Sequence, residues 1–539
     1  MISNRLPIDA LFAIFLTRGR ARRQKTERMN MKRALCLLLL FAFVPCERKS
    51  LDASEVGAGS EDLPLHRVRI GLFGIGLDTY WPQFEGLYER LEGYQTSIAE
   101  RMSSRRADIE IINAGIVDNP VKARQTGARL RAEGVEAVFL NISTYALSST
   151  VLPVVQKLQV PVIVLSMQPT KAIDYMKINS LKDRGEMTGE WLAYCQACSA
   201  PEIASVFNRA HIDYHLIAGS MDDESMWREI DGWLDALYLA SELRRTRVGT
   251  LGHYYGGMLD VYSDMTQLSS VFGCHFEIVE MMELKKLRSS LSRSQVEEEL
   301  GALQIEFDVD PDCDEGELIR AAKTSAALDL MIKNNRLGCL AYYFEGAGDA
   351  EYQDIITSII PGNTLLTMNN VPVAGEYEIK NVIAMKILDI LGAGGSFSEF
   401  YALDLNDDVV LLGHDGPGHA RIAAGKVKMV PLPVFHGKPG KGLSIQMSVR
   451  HGPVTLLSVA QDGEGEVKFV LAQGESVPGP VLDIGNTNSR YRFPMGAKQF
   501  LQQWAECGPA HHMSIGTGHV SDTIEKLAKI LGIECIIVC

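Results

Sequence analysis

From Val68 onward, short β-branched runs alternate with longer segments whose apolar residues recur at helical spacing, and this alternation confines the chain to an α/β fold. VRIGLFGI reads as a first strand, and the segment after Pro82, with Phe84, Leu87, Leu91 and Tyr94, as the helix behind it. EIINAGIV, a helix through residues 124–131, EAVFLN, a further helix and PVIVLS continue the pattern. Strands separated by helices imply a mostly parallel sheet covered on both faces.

A chain of 539 residues exceeds what one hydrophobic core organises, so further domains are expected. A helix over residues 221–243, with Met226, Ile230, Trp233 and Leu237 on one face, divides two Rossmann-like layers. RVGTLGH, HFEIVEM and GCLAYYF open the second layer, with helices expected over residues 256–267 and 317–333. After the glycine-rich break at residues 392–395 the texture changes. Short apolar runs at 409–412, 426–430, 443–449, 454–459 and 467–471 alternate with Gly, Pro and Asp, which predicts antiparallel β structure, with helices near 497–504 and 520–531 closing the chain. The expected fold is α/β: two Rossmann-like parallel-sheet layers followed by a C-terminal antiparallel β domain. The divisions are a leader over 1–66, an N-terminal domain over 67–245, a central domain over 246–392 and a β-rich domain over 393–539.

The net charge of -14 argues against a nucleic-acid partner, which Lys and Arg would have to neutralise. The ten cysteines show no framework spacing, which fits a reducing, cytoplasmic compartment, and Cys195 and Cys198 read as half-buried thiols. The leader complicates this. A basic run over residues 18–33 precedes an apolar stretch at 35–44, too short to span a bilayer but the length of a secretory signal, so export is the alternative and a membrane role arises only if the leader anchors the chain.

Four segments concentrate carboxylates and imidazoles where strands or helices begin or end. They are YYFEGAGD with Glu345 after a strand, VPVAGEYEIK with Gly375 in a turn and Glu376 starting a helix, LLGHDGPGH with His414 and His419, and GPAHHMSIGTGH with His511 and His512. Mixed oxygen and nitrogen donors of this kind suit an octahedral divalent ion such as Mn2+. His211, His215, His253, His275, His436 and His451 lack such company and read as structural.

In order and approximate spacing these segments resemble the metal and acid-base motifs of the L-arabinose isomerase family: Glu345 in the FE segment, Glu376 in AGE, His414 in the GH segment and His512 as the second histidine of AHH. The resemblance is carried mainly by residues 338–539. It implies a manganese-dependent aldose-ketose isomerase, with Glu345, Glu376, His414 and His512 as ligands and the two glutamates as the acid-base pair. It further implies a homo-oligomer, trimer or hexamer, acting on a small sugar. Asp349 and His511 are expected to orient the ligands. GLFGIGLDTYWPQFEGL and GHYYGGMLDVYSD match more weakly: Asp78, Thr79, Tyr80 and Trp81 stand where the family carries a Gln-containing turn, and Tyr254, Tyr255 and Gly256 where it has polar and charged residues. The metal chemistry therefore transfers better than the substrate. A non-catalytic receptor of the periplasmic sugar-binding type, with Asn141, Ser143 and Asp78 as sugar contacts, is the rival reading, and a relative that kept the fold without turnover is a third.

Overall fold

The computed structural model describes residues 66–345, 348–435, 438–439 and 441–539, so the leader up to residue 65 and His436 lie outside the described residues. The first sheet is built from β1 (Val68–Ile75), β2 (Ile109–Val117), β3 (Ala137–Asn141), β4 (Val162–Gln168) and β5 (Tyr214–Ser220), all parallel in the order β2-β1-β3-β4-β5. That is the flavodoxin-like order of doubly wound sheets. Helix α1 (Leu87–Arg105) covers it with Leu91, Ile98 and Met102, and α2 (Glu224–Arg245) turns Met226, Ile230, Trp233 and Leu237 inward, the face expected from the sequence.

The second sheet contains β6 (Arg247–Gly252), β7 (His275–Val279), β8 (Cys339–Tyr343) and β9 (Val373–Ala374), parallel in the order β9-β8-β6-β7. The helix expected over 256–267 is absent. Gly256 and Gly257, the latter at φ 99°, open a loop, and the helix starts at Met265 because Asp264 caps the Thr266 and Gln267 amides.

The C-terminal domain is a closed antiparallel barrel of β10 (Gly394–Asp404), β11 (Val409–His414), β12 (Gly452–Gln461), β13 (Val467–Val477), β14 (Thr487–Arg492) and β15 (His512–Thr517). The order is β12-β15-β10-β11-β14-β13, closed by β12 against β13, with β16 (Glu534–Ile537) added in parallel to β13. Helix α3 (Ile379–Ile390) is buried on nearly every face, which marks a helix enclosed on all sides. It packs between β8 and β9 of the central sheet and β10, β12 and β15 of the barrel. The closing helix α4 (Ser521–Leu531) packs on α2 and so ties the chain's end to the first domain.

Cys195 and Cys198 are joined in a disulfide, correcting the expectation of free thiols. The two residues stand on the first turn of the helix Gln196–Ala210, where residues three apart are neighbours.

Candidate metal centre

The chain reaches the carboxylate cluster through a strained turn. β9 pairs in parallel with β8, Ala374 beside Ala341, and the Tyr377 amide donates to the Tyr342 carbonyl at 3.2 Å, which stitches the turn to the carboxyl end of β8. Glu376 does not start a helix as expected. Glu376 and Tyr377 both adopt left-handed backbone, φ 56° and 59°, and α3 begins only at Ile379. Two successive non-glycine residues in that region cost free energy and persist only where the surroundings over-determine them. The turn aims the Glu376 and Glu378 carboxylates at the barrel.

The barrel answers with imidazoles. In β10, Glu399 lies opposite Gly413 on one side and His512 on the other, so the end of β11 and the start of β15 meet at one level. His512 Nε2 stands 3.2 Å from Glu376 Oε2, His511 Nε2 3.8 Å from the same oxygen, and His414 Nε2 3.9 Å from Glu376 Oε1. His512 Nδ1 faces Glu378 Oε2 at 3.7 Å. Phe397 forms the floor, its ring centroid 4.4 Å from that of His414 and 4.3 Å from that of His512.

Burial sets the electrostatics. Burial works against the Glu376 charge, but the His512 imidazole beside it, with the charges of His414 and His511, outweighs this and holds the carboxyl below its ordinary range. Burial likewise works against a charged His512, yet Glu376 and Glu378 push its pKa up to about 9. A buried imidazole between two carboxylates is the protonated equivalent of a cation site.

Ligand atoms of Glu376, His511 and His512 all lie within 4.8 Å of one another, close enough to share one ion. Glu376 Oε2 and both His512 ring nitrogens are buried without a directed hydrogen bond, an arrangement that a divalent cation would satisfy. The donor set of carboxylate oxygen and imidazole nitrogen therefore fits the metal inferred from the sequence.

Of the four expected ligands, the structure brings Glu376, His414 and His512 together. Glu345 is exposed two residues beyond β8, where it accepts from the Tyr343 hydroxyl at 3.0 Å. His511 belongs to the cluster itself. Asp349 is a helix cap, accepting from the Glu351 and Tyr352 amides, and so does not orient a ligand. His419 is buried beside β10, where burial pushes its pKa down to about 4. Sequence reasoning missed Glu378, Lys380 and Asp260. Glu378 sits two residues from Glu376 in the same segment, and Asp260 lies in the GGMLDVYSD turn, so both were within reach of a local signal. Lys380, buried between Glu378 and the Asp260 loop, gave none.

The rival sugar contacts fare differently. Asn141 and Ser143 are buried, and the Asn141 amide donates to Gln95 Oε1 at 2.9 Å and to Ser143 Oγ at 3.3 Å, so these groups are engaged within the first domain.

The chain thus comprises two parallel-sheet α/β layers followed by a closed antiparallel barrel, with a carboxylate and imidazole cluster where central sheet and barrel meet. Residues 394–534 match the family model described as the L-arabinose isomerase C-terminal domain. L-arabinose isomerase of Bifidobacterium adolescentis is 22% identical over 366 residues, covering 62% of this chain and 68% of the relative. Sulfoquinovose isomerase of Alkalicoccus urumqiensis is 20% identical over 415 residues, 74% and 86% respectively, and L-arabinose isomerase of Shouchella clausii is 18% identical over 355 residues, 62% and 69%. The chain is thus similar to L-arabinose isomerases and to a sulfoquinovose isomerase at modest identity.

Proposed function

We propose that the protein is a divalent-metal-dependent aldose-ketose isomerase, an intramolecular oxidoreductase that moves a carbonyl between C1 and C2 of a sugar. The observation that carries this is the cluster of buried Glu376 and His512 with the partly exposed His511, in which ligand atoms of Glu376 and His512 are buried without a hydrogen bond. Relatives named as isomerases of two different sugars support the reaction class and leave the sugar open.

Glu376, His414, His511 and His512 would hold the ion, with Mn2+ the expected occupant. When bound, such an ion supplies Lewis-acid polarisation of a sugar carbonyl and its neighbouring hydroxyl. The chain's own residues do the rest. Isomerisation removes a proton from the carbon beside the carbonyl and returns one to its neighbour, which calls for a carboxylate able to hold and release it. Glu376 is that group in this reading, with its carboxylate ionised at neutral pH and ready to accept. Glu345 is the proposed second carboxylate, as it follows the strand end to which the Glu376 turn is bonded and is held by Tyr343. Tyr343 is a poor proton donor to solvent, because burial and the Glu345 carboxylate both raise its pKa.

The test is the metal content of the purified protein, followed by ketose formation with Mn2+ from a panel that includes L-arabinose and sulfoquinovose. Isomerisation of at least one member, abolished by chelation, is expected. Tight sugar binding without turnover would favour the receptor reading.

A further inference from the structure

The loop after β6 crosses from the central domain to the barrel and sets one carboxylate against the cluster. Asp260 Oδ2 accepts from the His511 backbone N–H at 3.0 Å and faces His511 Nδ1 at 2.6 Å. The same carboxylate oxygen already accepts the His511 backbone N–H, and a carboxylate offers only acceptor oxygens, so it accepts in both contacts. Nδ1 therefore carries the hydrogen of this contact, and in a neutral ring the lone pair is left on Nε2. Nε2 is the atom turned inward, 3.8 Å from Glu376 Oε2, with the ring 3.7 Å from that of His512.

The loop is fastened from the other side by Lys380. Its Nζ donates to the Asp260 carbonyl at 2.8 Å, the Tyr262 carbonyl at 3.1 Å and Ser263 Oγ at 3.3 Å, and pairs with Glu378 at 3.3 Å. The same helix start that presents the glutamates thus fixes the height of the loop that holds His511.

We infer that Asp260 is a positioning residue that fixes the orientation and tautomer of His511, turning its Nε2 toward Glu376 so that His511 adds a nitrogen donor to the cluster. Partners of this kind fix ring orientation and raise the basicity of the facing nitrogen. The consequence for turnover rests on the isomerase reading, whereas the geometry does not. Both side chains are more than a third exposed, and an exposed ion pair contributes little to stability, so loss of fold is not the expected effect of removing it.

The experiment compares Asp260→Ala and Asp260→Glu with Ser263→Ala, which removes one of three Lys380 contacts to the loop, keeps the two to backbone carbonyls and leaves the Asp260–His511 contact in place. Imidazole 15N NMR of the metal-free protein reads the His511 tautomer, calorimetry with Mn2+ reads metal affinity, and steady-state kinetics separates kcat from KM. Asp260→Ala is expected to lose the Nδ1–H signature and to weaken Mn2+ binding by about 10–100-fold, with kcat falling more than KM rises. Asp260→Glu should recover part of each, and Ser263→Ala should resemble wild type. An unchanged tautomer signature in Asp260→Ala, or equal losses in Ser263→Ala, overturns the inference. If the wild type binds no metal and isomerises no sugar while Asp260→Ala still changes the tautomer, the isomerase reading falls and the positioning role stands.

Discussion

Glu376 is the residue on which the site turns. Replacing it with Gln keeps its size but removes its charge and its proton-transfer capacity, so the rate should fall by roughly 10²–10⁴-fold, with an unchanged circular dichroism spectrum confirming the fold. Retention of most of the activity would remove Glu376 from the chemistry. Its partner His512 predicts a pH dependence for the metal-free protein. Its pKa is raised from 6.5 to about 9, so its contribution to stability is complete below about pH 6.5 and is lost as pH rises through about 9. Glu376 is lowered from 4.5, so its contribution is present above that value and is lost as pH falls through the depressed one. Thermal melts of metal-free protein should therefore show Tm declining on the alkaline side, and a Tm that is flat from neutrality to about pH 10 would refute the assignment. A bound divalent ion replaces the proton and should remove that decline. Glu376, His414 and His512 were legible because each stands in a short glycine-bearing junction. His511 was legible as a neighbour of the ligands but not as a member of the donor set, since its contact with Asp260, some 250 residues away, is encoded by no local spacing.

At the scale of elements, α3 couples the central sheet to the barrel. Ile387 is fully buried within it, and Ile387→Ala should cost about 2–5 kcal/mol, measurable by chemical denaturation. Lys380→Met should be at least as damaging, roughly 3–5 kcal/mol, because it leaves the Glu378 carboxylate buried with its nearest cation gone. If either variant unfolds at the wild-type midpoint, α3 is less constrained than its burial implies. Strong periodicity made β1, β3, β4, α2 and β12 readable in advance. β14 was not readable, because TNSRYR has no apolar alternation yet is almost wholly buried. Several of its polar side chains find partners in tertiary contacts, with Ser489 Oγ accepting from the Val449 amide and Asn488 donating to the Leu482 carbonyl. β10 was hidden by the glycines that open it. Gly395, at φ 119°, lets the strand pass against the backbone of Met385, where a Cβ would stand 2.6 Å from the carbonyl oxygen.

For the whole molecule, residues 65–539 form one compact unit. A chain beginning at Leu65 should therefore fold with the full-length Tm and retain turnover, and insolubility of that chain alone would show that the leader is needed. Barrel closure carries a further consequence, for kinetics. Glu376, His414 and His512 come from separate stretches of the chain and meet only when β15 has paired with β10 and α3 has docked beneath them. A cation therefore has nothing to bind until these pairings exist, and we expect it to act on the native state rather than on the barrier leading to it. In rapid-mixing experiments Mn2+ should leave the refolding rate unchanged and slow unfolding. Faster refolding in the presence of metal would mean that the ligands gather before the barrel closes.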